Sequence, residues 1–454
     1  MKEYNDTIAA FCTAPGGALA IIRISGPEAL RAAHAVWHSP RGLSADQPRV
    51  LTFGHVRLED GSAGETCLAV YMPGPASYTG EDVVELQCHG GSCAPRRLLS
   101  RLLSSGVRMA EPGEFTKRAF LNGKMDLTEA EAVADLIGAK SEAAFRLAER
   151  QLSGALGKKI RGSMEEIFLI LAEIESRLDF PEEDLDWQTP AQIVERINLI
   201  KTGLKTLLDS RDRTAILRDG VRLAIAGSPN VGKSSLLNLL LGYDRAIVTD
   251  IPGTTRDTLS EQAVLRGIPV ELTDTAGIRE EVSDAVEGFG VERSRSTLKR
   301  SEIIFWLFDS SRDPEEDLDA LQREIPAGSR VIAVWNKSDL APEGFTPPEM
   351  DHPSVMVSVK NEQGIEALLE QFETAVWGNG EKNIPDCAVS ERHAAALEQA
   401  ISLLEMAIPE TEAEMYELAA ENLRGARQEL AAITGESTAP DVLDDIFSRF
   451  CIGK

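Results

Sequence analysis

The run with the most chemistry in it is GSPNVGKSS, Gly227 to Ser235. Its spacing, G-x-x-x-x-G-K-[ST], lets a glycine-rich backbone wrap closely around phosphates. An apolar run, VRLAIAG (221–227), precedes it and SLLNLL (235–240) follows. The first N–H groups of a starting helix therefore face the anion. Lys233 is placed to reach the β- and γ-phosphates, and the Ser234 hydroxyl to bind Mg²⁺. Three more motifs follow in chain order. DTAG (274–277), after the apolar VEL, offers Asp274 to Mg²⁺ through water and the Gly277 N–H to a γ-phosphate. NKSD (336–339), after VIAVW, offers Asp339 to both N1–H and the exocyclic amine of guanine, with Asn336 facing O6 and N7. Adenine lacks that amine, and a polar site left unpaired rejects it strongly. SVK (358–360) adds a backbone N–H for O6. The predicted chemistry is GTP binding.

Between the first two motifs lies TDIPGTTRD (249–257). By order, Thr255 closes over Mg²⁺ and the γ-phosphate in the triphosphate state, which makes this segment a switch loop. The predicted nucleotide contacts are Asn230, Val231, Gly232, Lys233, Ser234 and Ser235; Thr249, Asp250, Ile251, Pro252, Gly253, Thr254 and Thr255; Asp274, Thr275, Ala276 and Gly277; Asn336, Lys337 and Asp339; and Ser358, Val359 and Lys360. One expected group is missing. In Ras-like enzymes a Gln after D-T-A-G orients the attacking water; here Ile278 stands there and can orient nothing. The following segment supplies Arg279, Glu280, Glu281, Asp284 and Glu287, and the residues alone do not choose among them. Asn230 is a further candidate, because its amide oxygen can hold a monovalent cation against the phosphates.

Those motifs need elements to hold them. From 221, short buried runs (221–227, 302–309, 331–336, 355–358) alternate with helical stretches, the rhythm of a doubly wound parallel sheet. Residues 1–120 carry strand-like runs (18–26, 50–58, 66–75) with helical stretches near 27–38 and 93–105, an α+β texture. From Thr128 the pattern turns helical. TEAE (128–131) fits a capping box with Thr128 and Glu131 as its partners. Leu152, Leu156, Ile160, Met164, Ile167, Leu171, Ile174 and Leu178 predict one long amphipathic helix. The expected division is 1–120 as an α+β domain, 121–217 and 381–454 as two packed helical halves, and 218–380 as an inserted α/β domain.

With 73 acidic against 47 basic residues in 454, the net charge is −26, which excludes a protein that coats nucleic acid by global charge. Any RNA contact must be local. The window 96–124 is the basic exception, with seven Lys or Arg against two Glu, so contact with RNA or a protein partner is expected there, with Arg97 and Arg101 as the residues to reverse. Six cysteines in so long a chain do not make a disulfide framework, and CHGGSC (88–93) lacks metal-ligand spacing. With no leader-like or membrane-spanning run, a reducing, cytoplasmic setting without membrane attachment is expected. The terminal CIGK does not make a prenylation box.

End to end, the chain resembles the MnmE (TrmE) family of tRNA wobble-uridine modification GTPases. The resemblance rests on DTIAA (6–10), IIRISG (21–26), PGPASYTGEDVVELQCHGG (73–91), PGEFTKRAFLNGKMDLTEAEAVADLI (112–137), GTTRD (253–257) and FCIGK (450–454). It implies an N-terminal tetrahydrofolate-binding domain, a helical domain, and a Ras-like G domain inserted into the latter. It implies K⁺-activated GTP hydrolysis with dimerising G domains. Asn230, Thr249, Ile251 and Thr254 would hold K⁺, Ile251 through its carbonyl alone. Ser234 and Thr255 would hold Mg²⁺, and Glu287 would orient water beside Lys233, Thr254 and Thr255. Glu287 lies one residue farther from DTAG than the family pattern. For folate, whether 5-formyl- or 5,10-methylene-tetrahydrofolate, it implies Arg23, Glu85, Lys124 and Lys454: Glu85 on the pterin, Arg23 and Lys124 on the glutamate tail. Cys451 is a possible functional thiol, with an inert one as the alternative. The implied partners are a second copy of the chain, tRNA, and the FAD- and NADH-dependent MnmG in a heterotetramer that aminomethylates or carboxymethylaminomethylates U34. Two other readings remain: a ribosome-assembly switch, disfavoured because no G-x-x-G RNA module is found, and a one-carbon transferase with a merely regulatory G domain.

Overall fold

Alternation along Leu19–Ser25 decides the first layer. Ala20, Ile22 and Ile24 point to one side and are buried, while Arg23 points to the other. In the computed structural model, which describes residues 5–14, 16–57, 62–180, 187–243, 260–274, 296–326, 328–378 and 384–453, this strand (β2) sits in a seven-stranded sheet. Its order is β3-β4-β5-β6-β2-β1-β7. The strands are β1 (Ile8–Phe11), β3 (Trp37–His38), β4 (Thr52–Arg57), β5 (Ala63–Met72), β6 (Val83–His89) and β7 (Arg108–Met109). Only the β1–β7 pair is parallel. Helices Ala29–Val36 and Ala94–Ser104 cover the apolar face, packing Ala32, Val36, Leu98 and Leu102 on Ile22, Ile24 and Leu86.

The chain divides into two compact units: 1–137 with 150–208 and 391–454, and 138–149 with 209–390. In the first, the helix Glu391–Glu412 packs on Pro190–Leu208 and Tyr416–Thr434 on Ala155–Asp179. Two sequence expectations need correction there. The capping box is real but starts two residues earlier: the Asp126 N–H donates to Glu129 (2.8 Å) and the Glu129 N–H to Asp126 Oδ1 (2.9 Å), opening the helix Leu127–Gly138. Asp126 accepts better than Thr128, whose hydroxyl itself donates to Asp126 (2.7 Å). Glu131 instead pairs with Arg392 (2.8 Å) and His393 (2.7 Å). The long helix begins at Ala155, because Gly154 takes φ +80° and ends the preceding helix, so Leu152 belongs to Glu142–Leu152. Its apolar stripe is buried from Leu156 to Ile174, and Leu178 is exposed.

The second unit holds a six-stranded sheet of order β13-β12-β11-β8-β10-β9. The strands are β8 (Val221–Gly227), β9 (Ser260–Leu265), β10 (Ile268–Asp274), β11 (Ile303–Asp309), β12 (Arg330–Asn336) and β13 (Ser354–Met356). All pairs are parallel except β9–β10, joined through Arg266 and Gly267, both at positive φ, as a two-residue hairpin requires. β11 is buried at every position, as a strand covered on both faces must be. β8 lies centrally, with β10 on one side and β11 on the other, so the chain leaves it in opposite directions. Such a switch point opens a crevice at the strands' carboxyl ends.

Candidate functional site

Among the described residues, the phosphate loop, Asp274 of DTAG, NKSD and SVK lie at that carboxyl edge. Gly227 ends β8, Asp274 ends β10 and Asn336 ends β12, while SVK follows β13. Between Gly227 and the helix Lys233–Tyr243 the loop turns through three left-handed residues, Gly227 (φ 137°), Asn230 (φ 63°) and Gly232 (φ 100°). A side chain at 232 would collide with Asn336 Nδ2, and one at 227 with the Leu307 carbonyl, so glycine is required twice by close approach. Lys233 is buried and donates to the carbonyls of Gly227 (3.0 Å) and Ser228 (2.7 Å), which holds the ammonium over the loop. Ser234 and Asn230 are exposed beside it.

Asn336 ties two loops together. Its Nδ2 donates to the Val231 carbonyl (2.8 Å) and its Oδ1 accepts the Val359 N–H (3.1 Å). Ser358 is fully buried and its hydroxyl donates to Asp339 Oδ1 (2.6 Å), fixing an otherwise exposed carboxylate. Lys337, at φ 60°, donates to Asp309 (2.6 Å) at the end of β11. Burial would raise the Asp309 carboxyl, but the Lys337 ammonium and the Ser311 donors hold it below the usual carboxylate range. Thr249 to Thr255, Thr275, Ala276, Gly277 and Glu287 lie outside the described residues.

A second constellation occupies the N-terminal sheet. Arg23 and Glu85 stand directly opposite on β2 and β6 and form an ion pair of 3.0 Å, each less than one-fifth exposed. The Arg23 guanidinium also lies over the rings of Tyr78 (5.1 Å) and Phe115 (5.6 Å). Burial pushes the Tyr78 phenol up; its hydroxyl meets Thr116 at 2.9 Å. Lys124 donates to the Pro75 carbonyl (2.9 Å) and packs near Gly80. The C-terminal motif returns to this sheet. Ile452 bridges Pro112, Gly453 closes on the Phe11 carbonyl, and Cys12 Sγ donates to the Gly453 carbonyl (3.4 Å). Cys451 is exposed, and Lys454 lies outside the described residues. Arg23 and Glu85 are thus brought together as one unit, with Lys124 held separately by the 75–80 loop.

The family model described as "MnmE helical domain" matches residues 127–451, and that described as "GTP-binding protein TrmE N-terminus" matches 7–124. The chain is 41% identical to the tRNA modification GTPase MnmE of Clostridioides difficile, over 99% of each chain. The chain belongs to the MnmE family. The MnmE of Synechococcus sp. (strain JA-2-3B'a(2-13)) is 45% identical, over 99% of this chain and 98% of that one. Among solved structures, Aquifex aeolicus Era is similar over 40% of this chain and 67% of that chain, at 25% identity and a TM-score of 0.27. As a member of the MnmE family the chain is a GTP-binding tRNA modification GTPase.

Several residues of this MnmE-family site carry no motif. Asp309 anchors Lys337, and the only sequence signal for it is an acid closing the apolar run IIFWLFD. Asp317, nearly buried in the helix Glu315–Glu324, accepts from the Ser228 hydroxyl and so steadies the phosphate loop. Tyr78 and Phe115 orient Arg23. Behind them, fully buried Arg118 binds Asp6 (2.7 Å), Glu81 (3.1 Å) and Glu114 (2.9 Å), fixing the loop of Thr79 and Glu81. Among the described residues, no helix is long and apolar enough to cross a membrane.

Proposed function

We propose that this chain is a cytoplasmic, potassium-activated GTPase that works with the FAD- and NADH-dependent MnmG on tRNA. Together they install an aminomethyl or carboxymethylaminomethyl group at C5 of U34. The one-carbon unit comes from 5-formyl- or 5,10-methylene-tetrahydrofolate. The working assembly is a homodimer, joined to MnmG as a heterotetramer, and G-domain dimerisation on GTP drives its cycle. Residues 1–120 form the folate-binding domain, 121–217 with 381–454 the helical domain, and 218–380 the G domain. The observation that carries the reading is the seating of Lys233 over a loop whose Gly232 is pressed against Asn336, because it welds phosphate binding to guanine recognition.

Ser234 and Thr255 would hold Mg²⁺, with Asp274 behind water, and Asn230, Thr249, Ile251 and Thr254 would hold K⁺. The left-handed, exposed Asn230 suits an amide oxygen offered to a cation. When bound, these ions supply positive charge where phosphate oxygens become more negative. Lys233 grips the β- and γ-phosphates, Thr255 closes the switch loop, and Glu287 orients the attacking water. Asp339 and the Val359 and Lys360 backbone meet guanine. In the N-terminal domain a carboxylate such as Glu85 suits the donor edge of a pterin, and Arg23, Lys124 and Lys454 would bind the rest of the folate. GTP turnover in KCl against NaCl is the test. Turnover should be several-fold faster in KCl; equal rates would remove the potassium reading. Glu287→Ala should lower turnover about 10²-fold with GTP affinity retained, and unchanged turnover would move that role to Asp284 or Glu281.

A further inference from the structure

The net charge of the window 96–124 largely dissolves in the fold. Arg108 and Arg118 are consumed by Asp6, Glu81 and Glu114, Lys117 pairs with Asp444, and Lys124 is bound by a carbonyl. Arg96, Arg97 and Arg101 have no ion pair among the described residues, and all three lie on the helix Ala94–Ser104. Arg97 and Arg101, one turn apart, line a cavity of about 400 Å³ with Cys93, Ser100 and Glu65. Glu65 is the one carboxylate in that lining, and it already engages His89 (3.3 Å). Arg101 Nη1 is buried and has no hydrogen-bond partner.

This arrangement is costly without a ligand. Like charges at i, i+4 repel, and a buried guanidinium nitrogen left unpaired carries a desolvation penalty. A group that bridges both guanidinium forks removes both penalties, and phosphate matches the fork geometry best. The N-cap residue Cys93 and the first helical residue Ala94 also line the cavity, adding the positive end of the helix dipole. The cavity is separate from the Arg23–Glu85 pair. Along β5 and β6, Cys67, Ala69, Leu86 and Cys88 face the helices, as Glu65 does by alternation, whereas Glu85 pairs with Arg23 on the opposite face.

We propose that the Arg97–Arg101 cavity is a phosphate-binding site that takes a backbone phosphate of the RNA substrate. RNA is favoured over a small phosphorylated molecule because exposed Arg96 continues the basic row outside the cavity, where a polyanion can follow it. The inference rests on the reading that this chain contacts tRNA directly. Cys93, exposed at the cavity, is a built-in reporter.

The test uses the full chain, unmodified tRNA and inorganic phosphate. Iodoacetamide alkylation of Cys93 is followed by peptide mass spectrometry, with exposed Cys451 as the internal control, and tRNA binding is followed by fluorescence anisotropy. Micromolar tRNA should slow Cys93 alkylation at least fivefold, and millimolar phosphate much less. Arg97→Ala/Arg101→Ala should abolish that protection and weaken tRNA binding about tenfold or more. It should also flatten the log–log salt dependence by about 1 to 2, with GTP turnover unchanged. Binding of tRNA with Cys93 unprotected and the double variant equal to the parent overturns the site while leaving tRNA contact standing. Protection by millimolar phosphate but not by tRNA makes the occupant a small phosphorylated molecule and overturns the RNA assignment. Absence of tRNA binding by the parent chain defeats the underlying reading, and the inference with it.

Discussion

The two candidate sites are built from different materials. At the carboxyl ends of β8, β10 and β12 the working surface is mostly backbone, bent into left-handed turns at Gly227, Asn230 and Gly232 and pinned by one lysine and one asparagine. On the N-terminal sheet the working groups are side chains, Arg23 and Glu85, facing each other across two strands and braced by Tyr78 and Phe115. A backbone site forbids side chains where it is tight and ignores them elsewhere. A side-chain site depends on each partner's identity. The difference sets how each should fail.

The largest effect is expected at Gly232→Ala. The residue sits at φ 100°, and its new methyl group would strike Asn336 Nδ2, which also holds the Val231 carbonyl. Backbone strain of about 1–2 kcal/mol plus loss of that tie should lower GTP affinity at least ~10²-fold. Folate binding measured by calorimetry should be untouched. A parallel loss of both would mean that the sites share their stability.

Arg23→Ala breaks the other site. Glu85, 18% exposed, would lose its ion-pair partner, so stability should fall by about 1.5–3 kcal/mol and folate binding should disappear. GTP turnover should stay at the parent level. Arg23→Ala/Glu85→Ala should regain part of the melting temperature and none of the binding. Recovery of folate binding in the double variant would deny the pair its role.

The same contrast explains what could be read from sequence. Lys233, Ser234, Asn336 and Asp339 were legible because a backbone site needs contiguous residues in fixed order, and the doubly wound sheet under them follows from strands apolar on both faces. Arg23, Glu85 and Lys124 are scattered over a hundred residues and gain meaning only by resemblance or by strand register. Asp309, Asp317, Tyr78 and Arg118 act through partners far away in sequence, and no local pattern announces them. The sequence pattern puts the capping box two residues too late, because Asp126 and Thr128 both suit a helix start and only the backbone decides between them.

Acid should act unequally on the two units. In the first, burial would raise the carboxyls of Asp6, Glu114 and Glu131, but Arg108 and Arg118 at the first two, and His393 and Arg392 at the third, lower them further. Glu131 is held down to about 2. In the second, Asp309 is the corresponding group among the described residues with a clear shift. These folded values lie below the unfolded ones, so the stabilisation is complete above about pH 4.5 and is lost as pH falls toward 2. For Glu131 alone the loss by pH 3 is about 2 kcal/mol. Hydrogen exchange, corrected for its intrinsic rate, should show the helices Leu127–Gly138 and Glu391–Glu412 opening between pH 5 and 3 before β8, β11 and β12 do, and Glu131→Gln should flatten that response. Simultaneous opening would mean that these carboxylates do not set the order.

The smallest effect is expected at Val359→Ala, and it bears most directly on the claim that the nucleotide site is made of backbone. Position 359 contributes its N–H to Asn336 Oδ1 at 3.1 Å, and its side chain only packs, half-buried, against the core of the second unit. Alanine keeps the N–H and loses about 1 kcal/mol of packing at most, so GTP affinity should change less than about twofold. Proline at the same position removes the N–H and leaves the Asn336 oxygen without that donor, a loss of about 1–3 kcal/mol, which by itself predicts an affinity at least fivefold weaker. A large effect of alanine, or a small one of proline, would show that the Val359 side chain and not its amide supports the base-binding loop, and the division between the two kinds of site would fail where it is sharpest.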